Sequence, residues 1–496
     1  MIPNELLTLA PLWIAAAAAI VLLVLITVRR RFALSAGFSI LAAAAGLASV
    51  FVAARRAPAN VTALFVIDGY ALFFTGLFFA AAIIVFLIAA SYFRITAVRR
   101  EEFFLTALVA VLGSSVLASS AHFLSFFLGL EILSVGLYVL ISFPLERRES
   151  IEAGTKYLIL ASGSAAFLLL GGGLIYGETG ALDFATWAAQ AKGGGFATPL
   201  FVLGVALMIV GIGFKLAVVP FHIWTPDVYQ GAPAPSAALV ATISKGGMLA
   251  FLLRFFWIID IHRFPSLVLV FSLIAGASMI AGNLLALRQS RLKRILAYSS
   301  IANLGYLLVA FLASGAVGLE AAAFYLVAYI VTLTAAFGAV ALLSPARVDS
   351  DSLEDYRGIF WSRPLTAAVL TLAMLSLAGI PLTAGFLGKF YVAAAAVDSS
   401  LWALAVILVA TSVVGLFYYL RVITAMYARP EETKAKGEGE GCRRGALVAG
   451  GIGLGLLLIL LLWLGIAPSQ MITTIRTTAV TLATGVPTTV SQGGLR

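Results

Sequence analysis

The sequence predicts an all-α polytopic membrane protein with about fourteen transmembrane helices. Hydrophobic residues make up 62% of the 496 residues and charged residues only 11%, whereas soluble domains carry about 25% charged residues. The apolar residues also form repeated runs of about 20 residues, the length that a helix needs to cross the hydrocarbon core of a bilayer. We therefore expect a single transmembrane domain over residues 1–496 and no soluble domain.

Fourteen apolar runs follow one another along the chain. The N-terminus lacks the basic segment of a cleavable signal peptide, so the first run is expected to be retained as a helix. Residues 431–444 are expected to form a solvated loop, and the Thr-rich residues 467–496 a mostly irregular tail. The predicted helices 1 to 14 cover residues 7–28, 32–53, 67–93, 103–119, 121–142, 151–177, 198–220, 233–257, 264–287, 294–313, 318–343, 365–397, 400–428 and 445–466.

The lysines and arginines in the loops predict the orientation of these helices. Twenty of them lie on one side of the membrane, and only Arg55, Arg56, Lys192, Arg263, Arg476 and Arg496 lie on the other. The more basic side is usually cytoplasmic, so both termini are expected on the outer, periplasmic side of a bacterial cytoplasmic membrane. The net charge of +10 is then a consequence of topology, and nucleic-acid binding is not expected.

Redox cofactors and metal ions are not expected on this chain. The single cysteine, Cys442, excludes disulfides within the chain and an iron–sulfur cluster held by four thiolates. Haem and zinc sites are also not expected, because the chain has only three histidines, His122, His222 and His262.

Ionisable groups near the centres of predicted helices point to a transport function. Lys215, Lys245 and Lys389 stand there among apolar residues, where an ammonium group costs about 2.5–3.5 kcal/mol. Glu131 lies in the middle of helix 5; burial would raise its pKa and a nearby ammonium would lower it. A buried Glu–Lys pair therefore has a tunable proton affinity. We interpret these groups as stations on a proton path.

The other basic residues within the helices have competing interpretations. Lys156 follows Glu152 by four residues, so an ion pair along one helix face is as good an explanation as a place on the proton path. Arg254 and Arg421 lie near helix ends, and we expect their side chains to extend to the lipid headgroups. His222 could relay protons near neutral pH, and a structural role for it is equally open.

Two predicted segments are too long for one straight spanning helix, and each contains a proline. Pro220 interrupts residues 198–230, and Pro381 interrupts residues 364–397. These are helices 7 and 12, and their odd offset of five makes them cross the membrane in opposite directions. Proline-interrupted helices at matching places in two halves indicate inverted repeats around a transport site. We predict two inverted five-helix repeats, helices 4–8 and 9–13, with helices 7 and 12 broken.

This prediction divides the transmembrane domain into four parts. The parts are three N-terminal helices, a first antiporter-like repeat, a second inverted repeat, and a last helix with its tail, covering residues 1–100, 101–257, 264–428 and 429–496.

Five motifs resemble those of one known family. The longest is P-F-H-I-W-T-P-D-V-Y-Q-G-A-P-A-P-S-A-A-L-V-A-T-I-S-K at 220–245, and R-I-L-A-Y-S-S-I-A-N-L-G-Y at 294–306 is the next. The others are F-L-G-L-E-I-L-S-V-G-L-Y at 127–138, D-S-L-E-D-Y-R-G at 351–358 and G-I-P-L-T-A-G-F-L-G-K-F at 379–390. Together they resemble the antiporter-like membrane subunits of proton-pumping NADH:quinone oxidoreductase, complex I.

The resemblance implies a function and a role for each candidate residue. The chain would translocate protons, coupled to quinone reduction elsewhere in the complex. Glu131 would pair with Lys215, Lys245 would be the central relay and Lys389 the terminal group toward the outer side. Two further residues would lie on the polar axis, Lys156 and His222.

The resemblance also implies partners and cofactors. NADH, FMN, the iron–sulfur clusters and the quinone would be bound by other subunits. The chain would contact antiporter-like subunit M and small subunits such as K and J. Helix 11 lacks the histidine and lysine that subunits L and M carry. The sequence after helix 14 is also unlike the long lateral helix of subunit L. The resemblance therefore favours a third type of antiporter-like subunit. One departure is Leu382, where the family often has a second proline.

Three other functions compete with this interpretation. The first alternative is a subunit of a multisubunit cation/proton antiporter or a membrane-bound hydrogenase, built on the same fold. An unrelated secondary transporter would need a pocket of several polar groups, whereas this sequence offers separate lysines. A purely structural membrane protein is the weakest alternative, because central lysines would serve no purpose in it.

Overall fold

The computed structural model describes residues 7–96, 100–143, 145, 147–193, 198–344, 349–429 and 444–484. A short antiparallel hairpin, β1 (Ala59–Val61) and β2 (Phe65–Ile67), stands between the second and third helices. In chain order the helices are α1 (Ala10–Val28), α2 (Phe32–Ala54), α3 (Gly69–Thr96), α4 (Glu102–Ser119), α5 (Phe123–Ser142), α6 (Arg148–Thr179), α7 (Phe184–Lys192), α8 (Pro199–Leu216), α9 (Trp224–Gly231), α10 (Ala234–Leu239), α11 (Lys245–Ile259), α12 (Pro265–Leu287), α13 (Leu292–Leu312), α14 (Gly315–Leu343), α15 (Ile359–Ser362), α16 (Pro364–Ala378), α17 (Ala384–Asp398), α18 (Trp402–Tyr427), α19 (Arg444–Ile466) and α20 (Ser469–Thr484).

The predicted number and order of transmembrane helices are confirmed. Among the described residues, thirteen helical stretches are long and apolar enough to cross a membrane. One of them joins α10 to α11 through a π-helix, Val240–Ser244. The remaining predicted helix, number 12, is divided into α16 and α17, and helix 7 is divided into α8 and α9. The chain is therefore a multi-pass membrane protein with both predicted breaks.

Glycines bring the first two helices of each repeat into backbone contact. A Cβ atom on Gly113 of α4 would lie 2.5 Å from the backbone nitrogen of Leu133 on α5. On α12, a Cβ atom on Gly282 would lie 2.6 Å from the backbone nitrogen of Ala302 on α13. Small residues allow the two backbones to approach this closely. The resulting van der Waals contact holds the helices together, because lipid provides no hydrophobic force between them. The same tight pair thus begins both repeats, while the residue limits of the four parts stay a prediction.

The centre of the molecule is formed by α10, α11, α13 and α14. Nearly all of their described side chains are buried. The peripheral helices α1, α2, α6 and α18 instead expose large apolar side chains, as expected of surfaces in contact with acyl chains. Any polar group on the central helices must therefore find its partners within the protein.

The C-terminal segment corrects one prediction. Residues 467–496 were expected to be mostly irregular, but Ser469–Thr484 forms the helix α20, which packs against α3 and α14. Ile475 is buried there, and Arg476 forms a 3.3 Å ion pair with Glu320 of α14. Threonine has a weak helix propensity, which tertiary packing overrides here. Residues 485–496 lie outside the described residues.

Arg254 corrects a second prediction, because its side chain does not extend to the headgroups. It is 3% exposed and donates two hydrogen bonds to Asp68, at 3.0 and 2.7 Å. It also donates to the carbonyl of Ala118 at 3.1 Å and lies 4.8 Å from the ring centre of Tyr70. A guanidinium is suited to such a bidentate pair. The pair joins α11 of the first repeat to the start of α3.

Candidate functional site

Lys215 lies in the last turn of α8, where helix 7 breaks. Ala217 adopts a left-handed conformation (φ 60°), and the N–H of Val218 donates to the carbonyl of Gly213, which closes the helix. Lys215 is only 3% exposed, and its Nζ donates to Ser134 Oγ on α5 at 2.6 Å. The negative end of the α8 dipole favours a cation at this position.

Glu131 lies on α5, one turn before Ser134, and is partly buried. The two groups act on each other electrostatically, but among the described residues no ion pair joins Glu131 to Lys215. Glu131 Oε1 is buried without a hydrogen-bond partner. Lys215 is therefore held by a hydroxyl group in this structure, and the direct pairing implied by the resemblance is not formed in it.

Lys245 begins α11, directly after the π-helix, and is fully buried. Its Nζ donates to Ser300 Oγ on α13 at 2.9 Å. The hydroxyl groups of Tyr229 and Tyr329 lie 3.2 and 2.6 Å from the same oxygen. Single π-turns often mark functional sites, and this one stands directly before the most deeply buried lysine of the site.

Lys389 lies on α17, after the break of helix 12. Its Nζ donates to the carbonyls of Leu377 and Ala378 at 2.7 and 3.3 Å, and to Ser412 Oγ at 2.9 Å. Both carbonyls belong to the last turn of α16, where helix ends leave acceptors unpaired. The ammonium also lies 5.0 Å from the ring centre of Tyr306.

The two breaks place a lysine next to the end of a half-helix in each repeat. Lys215 precedes its break and Lys389 follows its own. In each case the C-terminal end of the first half-helix lies next to the ammonium group.

Polar groups on α13 lie between Lys245 and Lys389. Asn303 donates to Ser299 Oγ at 3.1 Å, and its Oδ1 accepts a 2.5 Å hydrogen bond from Tyr325 on α14. Ser299 is also hydrogen-bonded to Tyr419 on α18. We name the four α13 residues the α13 polar row: Ser299, Ser300, Asn303 and Tyr306.

The end of the α13 polar row near Lys389 is connected in the same way. The hydroxyl of Tyr306 accepts from Asn283 at 3.0 Å and lies 3.2 Å from Thr411 Oγ1. Tyr418 donates to Asn283 Oδ1 at 3.0 Å. Thr411 is adjacent in sequence to Ser412, a partner of Lys389. Hydroxyl and amide groups therefore stand next to both lysines and on the α13 turns between them.

Sequence reasoning missed these hydroxyl and amide groups. A signal was available, because the second motif places Ser299, Ser300, Asn303 and Tyr306 within one apolar helix. Residues three and four apart share a helix face. Their partners on α14 and α18, in contrast, are ordinary tyrosines with no local pattern to distinguish them.

Lys156 and His222 are less buried than Lys215, Lys245 and Lys389. The i,i+4 ion pair considered for Lys156 is present, at 2.7 Å from Glu152, and Asp227 adds a second at 3.1 Å. This half-exposed cluster lines a charged cavity of about 380 Å³ that also includes Arg291. His222 stands in the break between α8 and α9, partly buried, with Nδ1 lacking a hydrogen-bond partner.

Metal-binding geometry is absent from the part of the chain that the structure describes. No group of three or more His, Cys, Asp or Glu side chains there could hold a metal ion. The interior does hold the amines of Lys215, Lys245 and Lys389, which can take up and release protons.

Comparison with known proteins identifies the family. Residues 120–415, more than half of the chain, match the family described as "NADH:quinone oxidoreductase/Mrp antiporter, TM". The chain belongs to this antiporter-like family. The family resemblance drawn from the five motifs is thereby confirmed.

Individual members of the antiporter-like family are similar over most of their length. NADH-quinone oxidoreductase subunit N of Methylococcus capsulatus (strain Bath) is 45% identical over 435 residues, which cover 86% of this chain and 87% of that protein. A chain of respiratory complex I from Thermus thermophilus with bound aureothin is 34% identical, with a TM-score of 0.77, over 93% of this chain and 98% of that chain. The preference for a subunit type other than L and M therefore agrees with a relative named subunit N.

Two other solved structures share the fold of the family. A chain of the archaeal membrane-bound sulfane sulfur reductase has a TM-score of 0.84 at 23% identity, covering 97% of this chain and 98% of that one. A chain of the Mrp complex from Dietzia sp. DQ12-45-1b has a TM-score of 0.84 at 21% identity, covering 98% of both chains. At these identities the likeness concerns the fold alone.

Proposed function

We propose that the chain is the subunit N of a proton-translocating NADH:quinone oxidoreductase and moves protons across the membrane. One observation carries the proposal: three buried lysines each donate to a hydroxyl group in the interior of the helix bundle. Ammonium groups are costly in that environment and are usually functional. The 45% identity to a relative named subunit N supports assigning them to this complex.

The proposed path assigns a role to each predicted site residue. Glu131 controls the charge on Lys215, Lys245 is the central relay, and Lys389 is the terminal group. Lys156 lies in the charged cavity and His222 at the first break, where both can exchange protons with solvent. The α13 polar row supports transfer between Lys245 and Lys389, because hydroxyl and amide groups can form a continuous path when water fills the remaining gaps.

The electron-transfer chemistry belongs to other subunits in this proposal. NADH, FMN, the iron–sulfur clusters and the quinone are bound elsewhere in the complex, and the membrane-arm partners are subunit M and small subunits such as K and J. The chain contributes to the enzyme as a translocase subunit. Quinone reduction reaches it through a change in the charge or position of Glu131 and Lys215.

The orientation in the membrane is part of the proposal. The excess of basic loop residues places both termini on the periplasmic side of the cytoplasmic membrane. The natural Cys442 should then react with a membrane-impermeant maleimide only in inside-out vesicles. A Cys442→Ser, Gln190→Cys protein should react only in right-side-out vesicles. The reverse pattern would overturn the orientation.

The relay is tested with Glu131→Ala and Lys215→Ala in the assembled complex. Both variants should lower quinone reduction and proton pumping together, by about tenfold or more, because a positioned proton-transfer group is lost. Glu178→Ala and Lys192→Ala, at exposed positions, are the matched controls. Normal pumping in an assembled Glu131→Ala complex would remove Glu131 from the coupling step.

Lys245→Arg separates a relay from a fixed positive charge. A guanidinium stays protonated in proteins, so this variant should keep the charge and lose transfer, with pumping reduced to a level near that of Lys245→Ala. Proton pumping by the two Lys245 variants is measured on the same membrane preparation as for the Glu131 and Lys215 variants. Wild-type turnover of Lys245→Arg would show that position 245 needs only a positive charge.

The cation/proton antiporter alternative is decided by the partners. Copurification of the tagged chain with flavin and iron–sulfur subunits would support the oxidoreductase. Copurification with antiporter subunits alone, together with Na⁺-dependent ΔpH formation that needs no NADH, would favour the alternative. The 34% identity to a chain of respiratory complex I favours the oxidoreductase.

A further inference from the structure

An apolar cavity of about 610 Å³ lies between the N-terminal helices and the C-terminal helix. It is separate from the proton path. Its walls come from α2, α3 and α20, and its floor reaches Val327 on the central helix α14. Phe51, Phe73 and Met471 are among the side chains that line it. The cavity is open at one side, so a long apolar molecule could enter from the surrounding bilayer.

Two threonines of α20, Thr474 and Thr478, line this cavity. Thr474 Oγ1 donates to the carbonyl of Gln470 at 2.9 Å, and Thr478 Oγ1 donates to the carbonyl of Thr474 at 2.8 Å. Hydroxyl groups bonded back to their own helix need no partner in the cavity. A Thr-rich helix thereby becomes an apolar wall. The buried Ile475 and the Arg476–Glu320 ion pair hold that wall against α14.

Two exposed arginines stand at the edge of the cavity. Arg55 and Arg56 follow α2 directly, and their sequence neighbours Ala54 and Ala57 line the cavity. Within the described residues, neither guanidinium forms a hydrogen bond or an ion pair with another side chain. The hairpin after them marks the end of the membrane-spanning segment, the depth at which lipid phosphates lie.

We propose that this cavity binds an acyl chain of an anionic phospholipid, with the phosphate held by Arg55 and Arg56. The apolar walls match an acyl chain, and the two unpaired guanidinium groups match a phosphate, which they can bind through paired N–H donors. The bound lipid contacts α2, α3, α14 and α20 at once. It therefore stabilises the attachment of α20 and the N-terminal helices to the central helix α14.

Filling the cavity tests the acyl-chain part of the proposal. Gly76 lines the cavity, and the atoms nearest to a Cβ atom there belong to Leu47 and Val50, at the ordinary distance of 3.7 Å. Gly76→Leu should therefore fit locally and displace the lipid. The matched control is Gly37→Leu on α2, where a Cβ atom would meet nothing within 4 Å. Retention of phosphatidylglycerol by the purified full-length chain is measured by native mass spectrometry after detergent exchange.

Wild type and Gly37→Leu should retain one phosphatidylglycerol, and Gly76→Leu should lose it. Arg55→Gln/Arg56→Gln, at the surface, tests the headgroup independently. Wild type should prefer phosphatidylglycerol over phosphatidylcholine of the same chain length by about tenfold or more, because only phosphatidylglycerol carries a net negative charge that attracts the two guanidinium groups. The double variant should bind both lipids equally. Unchanged retention by Gly76→Leu, or equal retention of both lipids by wild type, would overturn the proposal.

Discussion

The three buried lysines obtain their hydrogen-bond acceptors in different ways. Lys215 and Lys245 each donate to a serine hydroxyl, whereas Lys389 uses two carbonyls from a helix end together with Ser412. A hydroxyl can accept from an ammonium and donate to a neutral amine, so it accommodates both protonation states. A backbone carbonyl only accepts, so it favours the protonated form. Lys389 therefore differs from Lys215 and Lys245 in having two carbonyl acceptors.

Tyr325→Phe tests whether the α13 polar row takes part in proton transfer. The substitution removes the hydroxyl that donates to Asn303 at 2.5 Å and keeps the ring. Pumping should fall by roughly tenfold, since a positioned proton-transfer group is lost, while the amount of assembled complex stays the same. A pH-sensitive dye in energised vesicles measures the rate.

The control for this variant is Tyr391→Phe. Its ring packs edge-on against Phe324 at 5.5 Å, and its hydroxyl makes no hydrogen bond within the described residues. Pumping by this control should match wild type. If Tyr325→Phe pumps as well as Tyr391→Phe, the proton path does not pass through Tyr325.

At the scale of elements, the two breaks use the same helix ending with different residues. Val218 donates to Gly213 in the first break, and Ile380 donates to Leu375 in the second. The left-handed residue is Ala217 in one and Gly379 in the other, with φ of 60° and 81°. An alanine in this conformation costs roughly 1–2 kcal/mol that a glycine does not.

Exchanging these residues should therefore have opposite effects. Gly379→Ala should lower the free energy of unfolding by about 1–2 kcal/mol and disturb Lys389, because the new Cβ atom would lie 3.1 Å from Lys389 Cδ. Ala217→Gly should leave stability unchanged or slightly raised. Denaturation in detergent measures stability, and pumping reports on Lys389. Equal destabilisation by both variants would contradict the proposed strain.

Leu382 stands in the break of helix 12, next to Pro381. Its φ is 70°, a conformation that the proline ring cannot adopt. The second proline common in the family at this position is therefore incompatible with the turn found here. Pro381 still precedes it, and helix 12 is still divided.

At the scale of the whole molecule, a buried cluster joins the two repeats on the basic side. Asp349 accepts from Lys293 at 2.6 Å and from Tyr92 at 2.5 Å, and lies 3.6 Å from Arg147. Burial by itself raises the pKa of the Asp349 carboxyl. The positive charges of Lys293 and Arg147 lower this pKa by more than burial raises it, so it lies below its ordinary value. Arg147 precedes α6 of the first repeat, and Lys293 begins α13 of the second.

The cluster makes stability depend on pH. The pKa of Asp349 is lower in the folded than in the unfolded state. Its contribution to the free energy of unfolding is therefore fully present above the unfolded pKa and is lost as the pH falls through the folded pKa. The free energy of unfolding should drop below about pH 4. Asp349→Asn should lower the free energy of unfolding by about 3–5 kcal/mol at neutral pH, because Lys293 is left buried without its carboxylate. On acidification this variant should lose less of its free energy of unfolding than wild type.

Asp260→Asn is the control for the cluster. Asp260 pairs with Arg263 at an exposed site, where such a pair contributes about 0–1 kcal/mol. Denaturation curves between neutral and acidic pH compare the three proteins. An identical pH profile for Asp349→Asn and wild type would show that Asp349 does not control acid stability.

The sequence by itself determined the class of protein, the order of its transmembrane helices, the two breaks and the central position of three lysines. These features follow from local properties. In lipid each helix must form all its backbone hydrogen bonds within itself and be apolar over its whole length, so both the helices and their interruptions can be recognised in the sequence. The family motifs are also contiguous stretches of sequence, and the family that they indicated is confirmed.

Only the tertiary structure decided which groups surround the lysines. The partners of Lys215, Lys245 and Lys389 come from other helices, and the burial of Arg254 against Asp68 and the folding of α20 depend on equally distant contacts. The sequence of a helix shows only that it contains a charged residue. Whether that charge reaches lipid headgroups, a carboxylate or a hydroxyl depends on which helix packs against it, because the acceptor that offsets its desolvation lies on another segment.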